Sequence, residues 1–304
     1  AGGSQYLKSQ VYNDYGLVTS KTLGNNVTLN YTYNPKNFRL TNVKAVTAGA
    51  ATVQNLSYTY NNSGLVTAIA DAKNNTNWSY AYDDSYRLVN AKRGTGTAAG
   101  TSDIYNKSYA YDNIGNITSF EGKAYAYGDS AHKHAVTLAG SNAYAYDANG
   151  NLTSGAGRTV TWNYDNKPLS VTKAGVTTEF VYDGSGSRVK KATGAKWKIY
   201  VGGVYEKDQD GKATCYIDAA GVSVKKKSDG SLYFILKDHL SGTSVITDSA
   251  GKVVTQQFYQ PYGLDDASGS FENEKEDHKF TGQEEDTETG LYNYNARLYD
   301  PALG

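Results

Sequence analysis

The feature that most constrains this chain is a short phrase that recurs through its first two thirds. The phrase is an aromatic residue, any residue, Tyr, and then Asn or Asp, often followed by Gly and an aliphatic residue with Thr. Tyr144-Ala145-Tyr146-Asp147, running on to Gly150-Asn151-Leu152-Thr153, shows it in full. The second tyrosine recurs at intervals of 16 to 29 residues, at Tyr33, Tyr60, Tyr82, Tyr111, Tyr127, Tyr146, Tyr164 and Tyr182.

Each part of the phrase has a physical role in a β-hairpin. Aromatic residues two apart in a strand point to the same face, so each phrase presents two rings to one side. Asp or Asn after the second ring accepts hydrogen bonds from the turn backbone, and Gly three residues later supplies the positive φ of a tight turn. We expect these roles at Tyr33, Tyr60, Tyr82, Asp83, Tyr111, Asp112, Gly115, Tyr146, Asp147, Gly150, Tyr164, Asp165, Tyr182 and Asp183.

The repeat also predicts how the hairpins are arranged. One hairpin cannot bury an aromatic face, because isolated hairpins are marginally stable. Stacked hairpins can, by extending one sheet in which each edge is covered by the next unit. We therefore predict an all-β fold without substantial helix, in which the hairpins stack into one long spiralling sheet wound on itself as a hollow shell, a barrel or a solenoid-like form.

The composition indicates an ordered chain and excludes several functional classes. The 28 Tyr supply apolar area, and 30 Lys and Arg balance 30 Asp and Glu. A net charge of zero argues against a nucleic-acid partner, and no stretch approaches the roughly 20 apolar residues of a membrane-spanning helix. The single cysteine, Cys215, excludes an internal disulfide framework and is expected to be an inert strand residue. The absence of Met is typical of a processed or excised product.

The repeated phrase resembles the YD repeat of Rhs proteins, which also occurs in the Tc-toxin C components and the teneurins. The last third is similar to the Rhs repeat-associated core, which sets expected domains of 1–183 for the repeats and 184–304 for the core, continuous in one sheet. The strongest match is the closing motif from Thr289 to Gly304. The core positions that carry the resemblance are Asp238, His239, Gly290, Leu291, Tyr292, Arg297, Tyr299, Asp300, Pro301 and Gly304.

The resemblance implies a spiral β-sheet that closes into a shell around a C-terminal effector. Some members of the family cut themselves just after the core with a pair of aspartates, which as acid proteases share one proton. Asp300, beside Arg297 in the sequence, matches one family position, but the second aspartate would lie beyond Gly304. We therefore predict a non-enzymatic chain in which Asp300 serves a turn.

Four other features have a chemical and a structural interpretation. His239 is a conceivable base, but no nucleophile motif accompanies it. His132 and His134 have the spacing of two metal ligands on one strand face, although a solvated loop is favoured. The acidic stretch 265–288 offers calcium ligands without the spacing of a calcium loop, so an exposed loop is favoured. Gly184-Ser185-Gly186 does not open a helix, so no phosphate cradle, and no cofactor, is predicted.

A size estimate limits what the chain alone can enclose. Each strand residue covers about 16 Å² of sheet, and with half of the residues in strands the hollow would be on the order of a few thousand Å³. We therefore expect part of a larger shell, secreted or at the surface of a bacterial cell, whose partner is its own C-terminal effector. The alternative is an extracellular structural or adhesive protein, with cell-surface or glycan contacts, whose copies assemble into a fibre or layer.

Overall fold

The computed structural model describes residues 5–96 and 103–304 and contains strands joined by turns, with a single 3₁₀ turn at Phe280–Gly282. The strands are β1 Leu7–Tyr12, β2 Val18–Leu23, β3 Thr28–Tyr33, β4 Leu40–Val46, β5 Thr52–Tyr60, β6 Val66–Asp71, β7 Thr76–Tyr82, β8 Leu88–Thr95, β9 Asp103–Tyr111, β10 Ile117–Phe120, β11 Lys123–Ala126, β12 Leu138–Ala139, β13 Asn142–Tyr146, β14 Leu152–Gly155, β15 Arg158–Trp162, β16 Pro168–Lys173, β17 Val176–Tyr182, β18 Arg188–Thr193, β19 Lys196–Val201, β20 Tyr205–Asp208, β21 Ala213–Ala219, β22 Val222–Lys227, β23 Leu232–Lys237, β24 Thr243–Asp248, β25 Val253–Gln256, β26 Phe271–Glu272, β27 Glu284–Asp286, β28 Leu291–Asn293 and β29 Leu298–Tyr299.

Strands β1 to β26 form one antiparallel sheet in which each strand pairs with the next along the chain. A second sheet of three strands, β27 to β29, lies near the C-terminus. In the part of the chain that the structure describes, β1 pairs only with β2 and β26 only with β25. The sheet is therefore not closed into a barrel by hydrogen bonds, and the all-β prediction is confirmed.

The turns after β1, β7, β9, β13, β15 and β17 are closed by the Asn or Asp of the repeated phrase. In the turn after β9, Asp112 Oδ1 accepts hydrogen bonds from the N–H groups of Ile114 at 3.0 Å and Asn116 at 2.8 Å, and Gly115 has a φ of 94°. The same pair of acceptor contacts is made by Asn13, Asp83, Asp147, Asn163, Asp183, Asp208, Asp238 and Asp248. The predicted turn chemistry is therefore present, and it extends beyond residue 183 into the last third.

In six of the phrases the hydroxyl of the second ring ties its hairpin to the one before it. Tyr82, at the end of β7, donates its hydroxyl hydrogen bond to the carbonyl of Val66 at the start of β6, over 2.8 Å. Equivalent bonds to the preceding hairpin are made by Tyr33, Tyr60, Tyr111, Tyr127 and Tyr146. These bonds explain why the phrase requires a tyrosine, whose ring is buried while its hydroxyl needs a partner.

One assignment in the repeat is corrected by the structure. Tyr164 and Asp165 were expected to be the second ring and the turn residue, but the Tyr164 side chain is fully exposed, at 107%. Trp162 takes the ring position instead, donating from Nε1 to the Leu152 carbonyl over 2.8 Å, and Asn163 closes the turn. The second ring and the turn residue therefore lie at positions 162 and 163, two residues earlier than the sequence motif indicates.

The two aromatic residues of each phrase do share one face of the sheet, which we call the inner face. Residues that pair across neighbouring strands point to the same face, so the register identifies the inner face on each strand. The pairs that show it are Tyr31 with Val43, Tyr80 with Ala91, Phe180 with Lys191, Lys191 with Lys198, and Tyr216 with Lys225. In β22, Val224 precedes Lys225, so Val224 points to the opposite, outer face.

The sheet winds into a scroll, because its two ends overlap with different faces. The apolar cluster between them joins inner-face residues of β2 to β4 to outer-face residues of β22 and β23, namely Leu23, Leu29, Ala45, Val224, Phe234 and Leu236. We call this overlap the seam. Two side chains also form hydrogen bonds across it: the Lys21 ammonium donates to the carbonyls of Ala220 and Gly221, and the Asn25 amide donates to Thr247 Oγ1 over 2.9 Å. The predicted winding is thereby confirmed and specified as a spiral.

Residues 257–304, the central segment, lie inside this scroll against the inner face, apart from the exposed strand β26, which extends the sheet beside β25. Tyr262 packs on Tyr109 and Phe120, Leu291 packs in the cluster of Val160 and Phe180, and Leu303 packs beside Tyr144. The segment thus contacts strands from β9 to β17 with apolar groups. The interior of the described chain is filled by its own C-terminal part.

Candidate functional site: the interior of the scroll

Buried cations of the inner face hold the acidic residues of the central segment. Arg188, on β18, binds Glu284 Oε2 at 2.5 Å and Asp286 Oδ2 at 2.7 Å. Lys191, on the same strand, binds Asp286 Oδ1 at 2.8 Å. Tyr200 donates its hydroxyl hydrogen bond to Glu284 Oε1 over 2.6 Å. Glu284 and Asp286, two of the three carboxylates of β27, are therefore held by charged or hydroxyl donors from the sheet.

The electrostatics of this cluster follow from burial and from the paired charges. Burial alone raises the pKa of Glu284, but Arg188, Lys191 and Lys198 hold that pKa far below its ordinary value, at about 2. Burial likewise opposes the charged form of Lys198, while Asp277 and Glu206, at 2.7 and 2.9 Å, raise its pKa above the ordinary value. Each charge inside the scroll depends on its partner for its ionised state.

The acidic stretch 265–288 is not the exposed loop that the sequence favoured. Glu276 and Asp286 are completely buried, and Glu274 is 7% exposed. Glu274 binds the Lys225 ammonium at 2.8 Å, and Asp266 forms an ion pair with the buried Arg93. The expectation was wrong because the cations that neutralise these carboxylates come from distant strands.

Asp300, the aspartate of the closing motif, lies in a turn and an ion pair. Its Oδ1 accepts from the N–H of Ala302 over 3.0 Å, and its Oδ2 binds Arg158, on β15, over 2.6 Å. Arg297 is exposed, and within residues 5–96 and 103–304 the ion pair of Asp300 is with Arg158 rather than with Arg297. The same described residues contribute no carboxylate hydrogen-bonded to Asp300, as an aspartate dyad would require.

The other core-motif residues place the central segment inside the scroll. Tyr292 is 1% exposed and donates to the Gly263 carbonyl over 3.2 Å, and Tyr299 donates to the Tyr262 carbonyl over 2.8 Å. Pro301 is buried. Gly290 has a φ of 71° and lies against the Lys173 ammonium and the Arg158 guanidinium. Gly304 lies so close to Phe120 that a side chain there would overlap its ring.

Asp238 and His239 lie in the turn between β23 and β24. Asp238 Oδ1 caps that turn through the N–H groups of Leu240 and Gly242, and the His239 ring packs on Tyr58 with 4.9 Å between centroids. Asp238 is half-buried, and loss of water around its carboxyl raises its pKa to about 6. The His239 residue as a whole is exposed, but desolvation of its ring against the fold lowers its pKa to about 4. The pair therefore acts in the turn and in packing.

The histidine pair found in the sequence is split between two structural roles. His132 Nδ1 lies 2.8 Å from Asp129 Oδ2, and His134 Nδ1 lies 2.8 Å from Asn116 Oδ1. The two rings are therefore held by different loop partners. Cys215 lies in β21, half-buried and unpaired with another cysteine.

The inner-face cations Arg93, Arg158, Arg188, Lys191, Lys198 and Lys225 escaped the sequence analysis. Alternation supplies a signal that could have found some of them, since Arg158 shares its face with Val160 and Trp162. A cation in phase with buried aromatic residues requires a buried partner. The sequence offers the acids of 265–288 as those partners, but only the winding of the sheet brings the two sets together.

The family model of the teneurin YD-shell matches residues 39–304, which is most of the chain. This chain belongs to that family. The matched range takes in the hairpins from β4 onward and the closing motif at residues 289–304. Of the described residues, none forms a helix long and apolar enough to cross a bilayer.

Two relatives of this YD-shell chain are much longer than the part they share with it. Toxin subunit YenC2 of Yersinia entomophaga is 25% identical over 382 residues, which cover 98% of this chain and 39% of that protein. The tRNA3(Ser)-specific nuclease WapA of Bacillus spizizenii is 26% identical over 258 residues, which cover 82% of this chain and 9% of that protein. The chain thus spans well under two thirds of either relative.

Solved structures show the same fold. The crystal structure of TcdB2-TccC3-Cdc42 superposes with a TM-score of 0.79 at 20% identity, covering 98% of this YD-shell chain and 18% of that chain. The crystal structure of TcdB2-TccC3 gives a TM-score of 0.78 with the same coverage. The scroll fold is therefore shared with part of those chains.

Proposed function

We propose that this chain is a non-catalytic wall segment of a secreted shell that encloses and delivers a C-terminal effector. The YD-shell family, the toxin subunit among its relatives and the fold shared with TcdB2-TccC3 support this function. The nuclease name of WapA belongs to that longer protein, of which the aligned part is 9%.

The observation that carries the proposal is the path of the last residues. Leu303 packs on the inner face beside Val136 and Tyr144, its carbonyl accepts from the Tyr125 hydroxyl over 2.9 Å, and Gly304 lies against Phe120. A polypeptide joined to Gly304 would therefore begin inside the scroll. Arg158 stabilises this path by holding Asp300 just before the end.

The wall segment does not need an empty interior of its own. The inner face of the described chain is covered by β22 and β23 along the seam and by residues 257–304 where that segment packs on it. A cavity left between the seam strands, beside Tyr31 and His239, measures about 150 Å³. That volume holds a few water molecules and no protein domain. The effector space of the proposed shell would therefore be built with further wall, which is compatible with the chain spanning 39% of toxin subunit YenC2.

Imaging tests this function. The protein would be purified from its natural producer with everything that its gene joins to this chain, and viewed by negative-stain electron microscopy. The proposal expects discrete hollow particles with density inside, and recovery of the protein from the culture medium. Solid particles without internal density, found only inside cells, would contradict it.

A second candidate is supported by the open edge of the sheet. Strand β1 has four of its six residues exposed and, among the described strands, pairs on one side only. An exposed strand edge is a template for pairing with another chain. Regular filaments in the same images would favour an extracellular fibre or surface layer over the container.

A further inference from the structure

Three potential metal ligands meet where the central segment crosses β20. Glu206 comes from the inner face of β20, His278 precedes the 3₁₀ turn, and Glu284 opens β27. One ligand atom from each lies within 4.8 Å of the other two. Glu206 and Glu284 are 8% and 6% exposed, so the cluster is inside the scroll.

The backbone fixes this geometry from both sides. His278 and Glu284 are partners in an antiparallel β-bridge, which sets their side chains next to each other. Glu206 faces them from the sheet, with its Oε1 3.9 Å from His278 Nε2, too far for a hydrogen bond. A tetrahedral ion with bonds of about 2.1 Å holds its ligand atoms about 3.4 Å apart. The three groups are therefore within a small side-chain adjustment of a coordination sphere.

Groups around the cluster orient its ligands. His278 Nδ1 lies 3.2 Å from Glu276 Oε1, and the edge of the ring contacts Tyr216 at 4.6 Å between centroids. A carboxylate on Nδ1 leaves Nε2 as the free lone pair, as in carboxylate–histidine–zinc arrangements. Glu276 is completely buried, and its Oε2 has no hydrogen-bond partner. The Tyr200 hydroxyl fixes Glu284 in the same way.

We propose that Glu206, His278 and Glu284 bind a divalent transition-metal ion of the zinc class, which fastens the central segment to the sheet. One imidazole with two carboxylates suits zinc better than calcium, which takes oxygen ligands only. The remaining positions are open to water. The metal would join strand β20 to residues 278 and 284, so that it stabilises the position of the segment.

Lys198 is the cation that competes with the metal for both carboxylates, while Glu284 is also held by Arg188 at 2.5 Å and by Lys191 at 3.5 Å. The Lys198 ammonium lies 2.9 Å from Glu206 Oε2 and 3.7 Å from Glu284 Oε1, and it also binds Asp277 at 2.7 Å. Metal binding would move the ammonium away from Glu206 and leave it on Asp277. This competition gives the proposal a result that simple damage to the fold cannot imitate, since removal of Lys198 should strengthen metal binding.

The test uses the chain freed of metal with EDTA and titrated with Zn²⁺ by calorimetry and with Co²⁺ by visible absorption. One ion per chain is expected, with the intense d–d bands of a low-symmetry site and a rise in Tm. His278→Asn should weaken binding more than 100-fold, Glu276→Gln by 10- to 100-fold, and Lys198→Gln should tighten it several-fold. His132→Asn, at the other histidine pair, is the matched control and should change nothing.

Three results would contradict the proposal. Failure of the wild-type chain to bind one Zn²⁺, or binding that His132→Asn abolishes and His278→Asn leaves intact, overturns the proposal. Weaker binding in Lys198→Gln also contradicts it. If His278→Asn does not fold, the wild-type Co²⁺ spectrum and the Lys198→Gln affinity decide the question.

Discussion

The sheet and the central segment are stabilised in different ways. In the sheet, each hairpin repeats two local devices, a turn closed by Asn or Asp and a ring hydroxyl that reaches the preceding hairpin. The central segment has only short strands, and buried ion pairs hold it to distant residues, such as Arg93 with Asp266, 173 positions apart.

The difference predicts how each region responds to damage. A lost neutral hydrogen bond costs about 1 kcal/mol and affects one hairpin. A lost buried cation leaves carboxylates charged and unpaired inside the protein, which costs several times more. The ion pairs fix where the central segment lies, while the local devices fix the strands themselves.

The largest effect is expected from Arg188→Met. The change leaves Glu284 and Asp286 buried with one cation fewer, so the free energy of unfolding should fall by about 3–5 kcal/mol. Urea denaturation measures it. Lys212→Met, which breaks the exposed pair with Asp210, is the control and should cost less than about 1 kcal/mol. Equal losses in the two variants would remove the distinction between the regions.

A smaller effect is expected where a ring packs directly on a strand. A Cβ at Gly155 would overlap the ring of Tyr144, so Gly155→Ala should destabilise the fold by about 1–3 kcal/mol through overpacking. Gly184 has open space around it and no positive φ, so Gly184→Ala should be neutral or stabilising. Thermal unfolding of both variants checks this, and a neutral Gly155→Ala would contradict the packing of the inner face.

The hydroxyl that links hairpins should contribute less again. Tyr82→Phe removes the bond to the Val66 carbonyl and should cost about 0.5–1.5 kcal/mol. Tyr164→Phe is the matched control, because that side chain is fully exposed and should contribute nothing measurable. The comparison also tests the corrected register, since a loss in Tyr164→Phe would restore the assignment made from the spelling of the phrase.

The sequence predicts the local devices because all of their parts lie within a few residues of one another. Even the error at Trp162 was open to correction: three residues after Asp165 stands Pro168, which cannot adopt a positive φ, whereas Asn166 follows Asn163 at the same distance and has a φ of 55°. The ion pairs and the seam could not be predicted in this way. Both depend on how far the sheet winds before its ends overlap, and no local pattern specifies that.

In the wild type the net dependence on pH at Asp238 and His239 should be the smallest effect, because two opposed titrations of similar size share one window. Desolvation raises the pKa of Asp238 from 3.8 to about 6, so its contribution to stability is full below pH 4 and is lost as the pH rises through 6. Desolvation lowers the pKa of His239 from 6.5 to about 4, so its contribution is full above pH 6.5 and is lost as the pH falls through 4.

Single substitutions should separate the two titrations. With His239→Gln only the titration of the aspartate remains. The Tm of this variant minus that of the wild type should therefore increase as the pH falls from 6.5 to 4. Asp238→Asn keeps a turn residue of the kind found at Asn163. The Tm of this variant minus that of the wild type should decrease as the pH falls over the same range. Tm differences from pH 4 to 7 measure both slopes. Parallel curves for all three proteins would mean that the turn after β23 is solvated, and that the seam beside it is looser than its burial indicates.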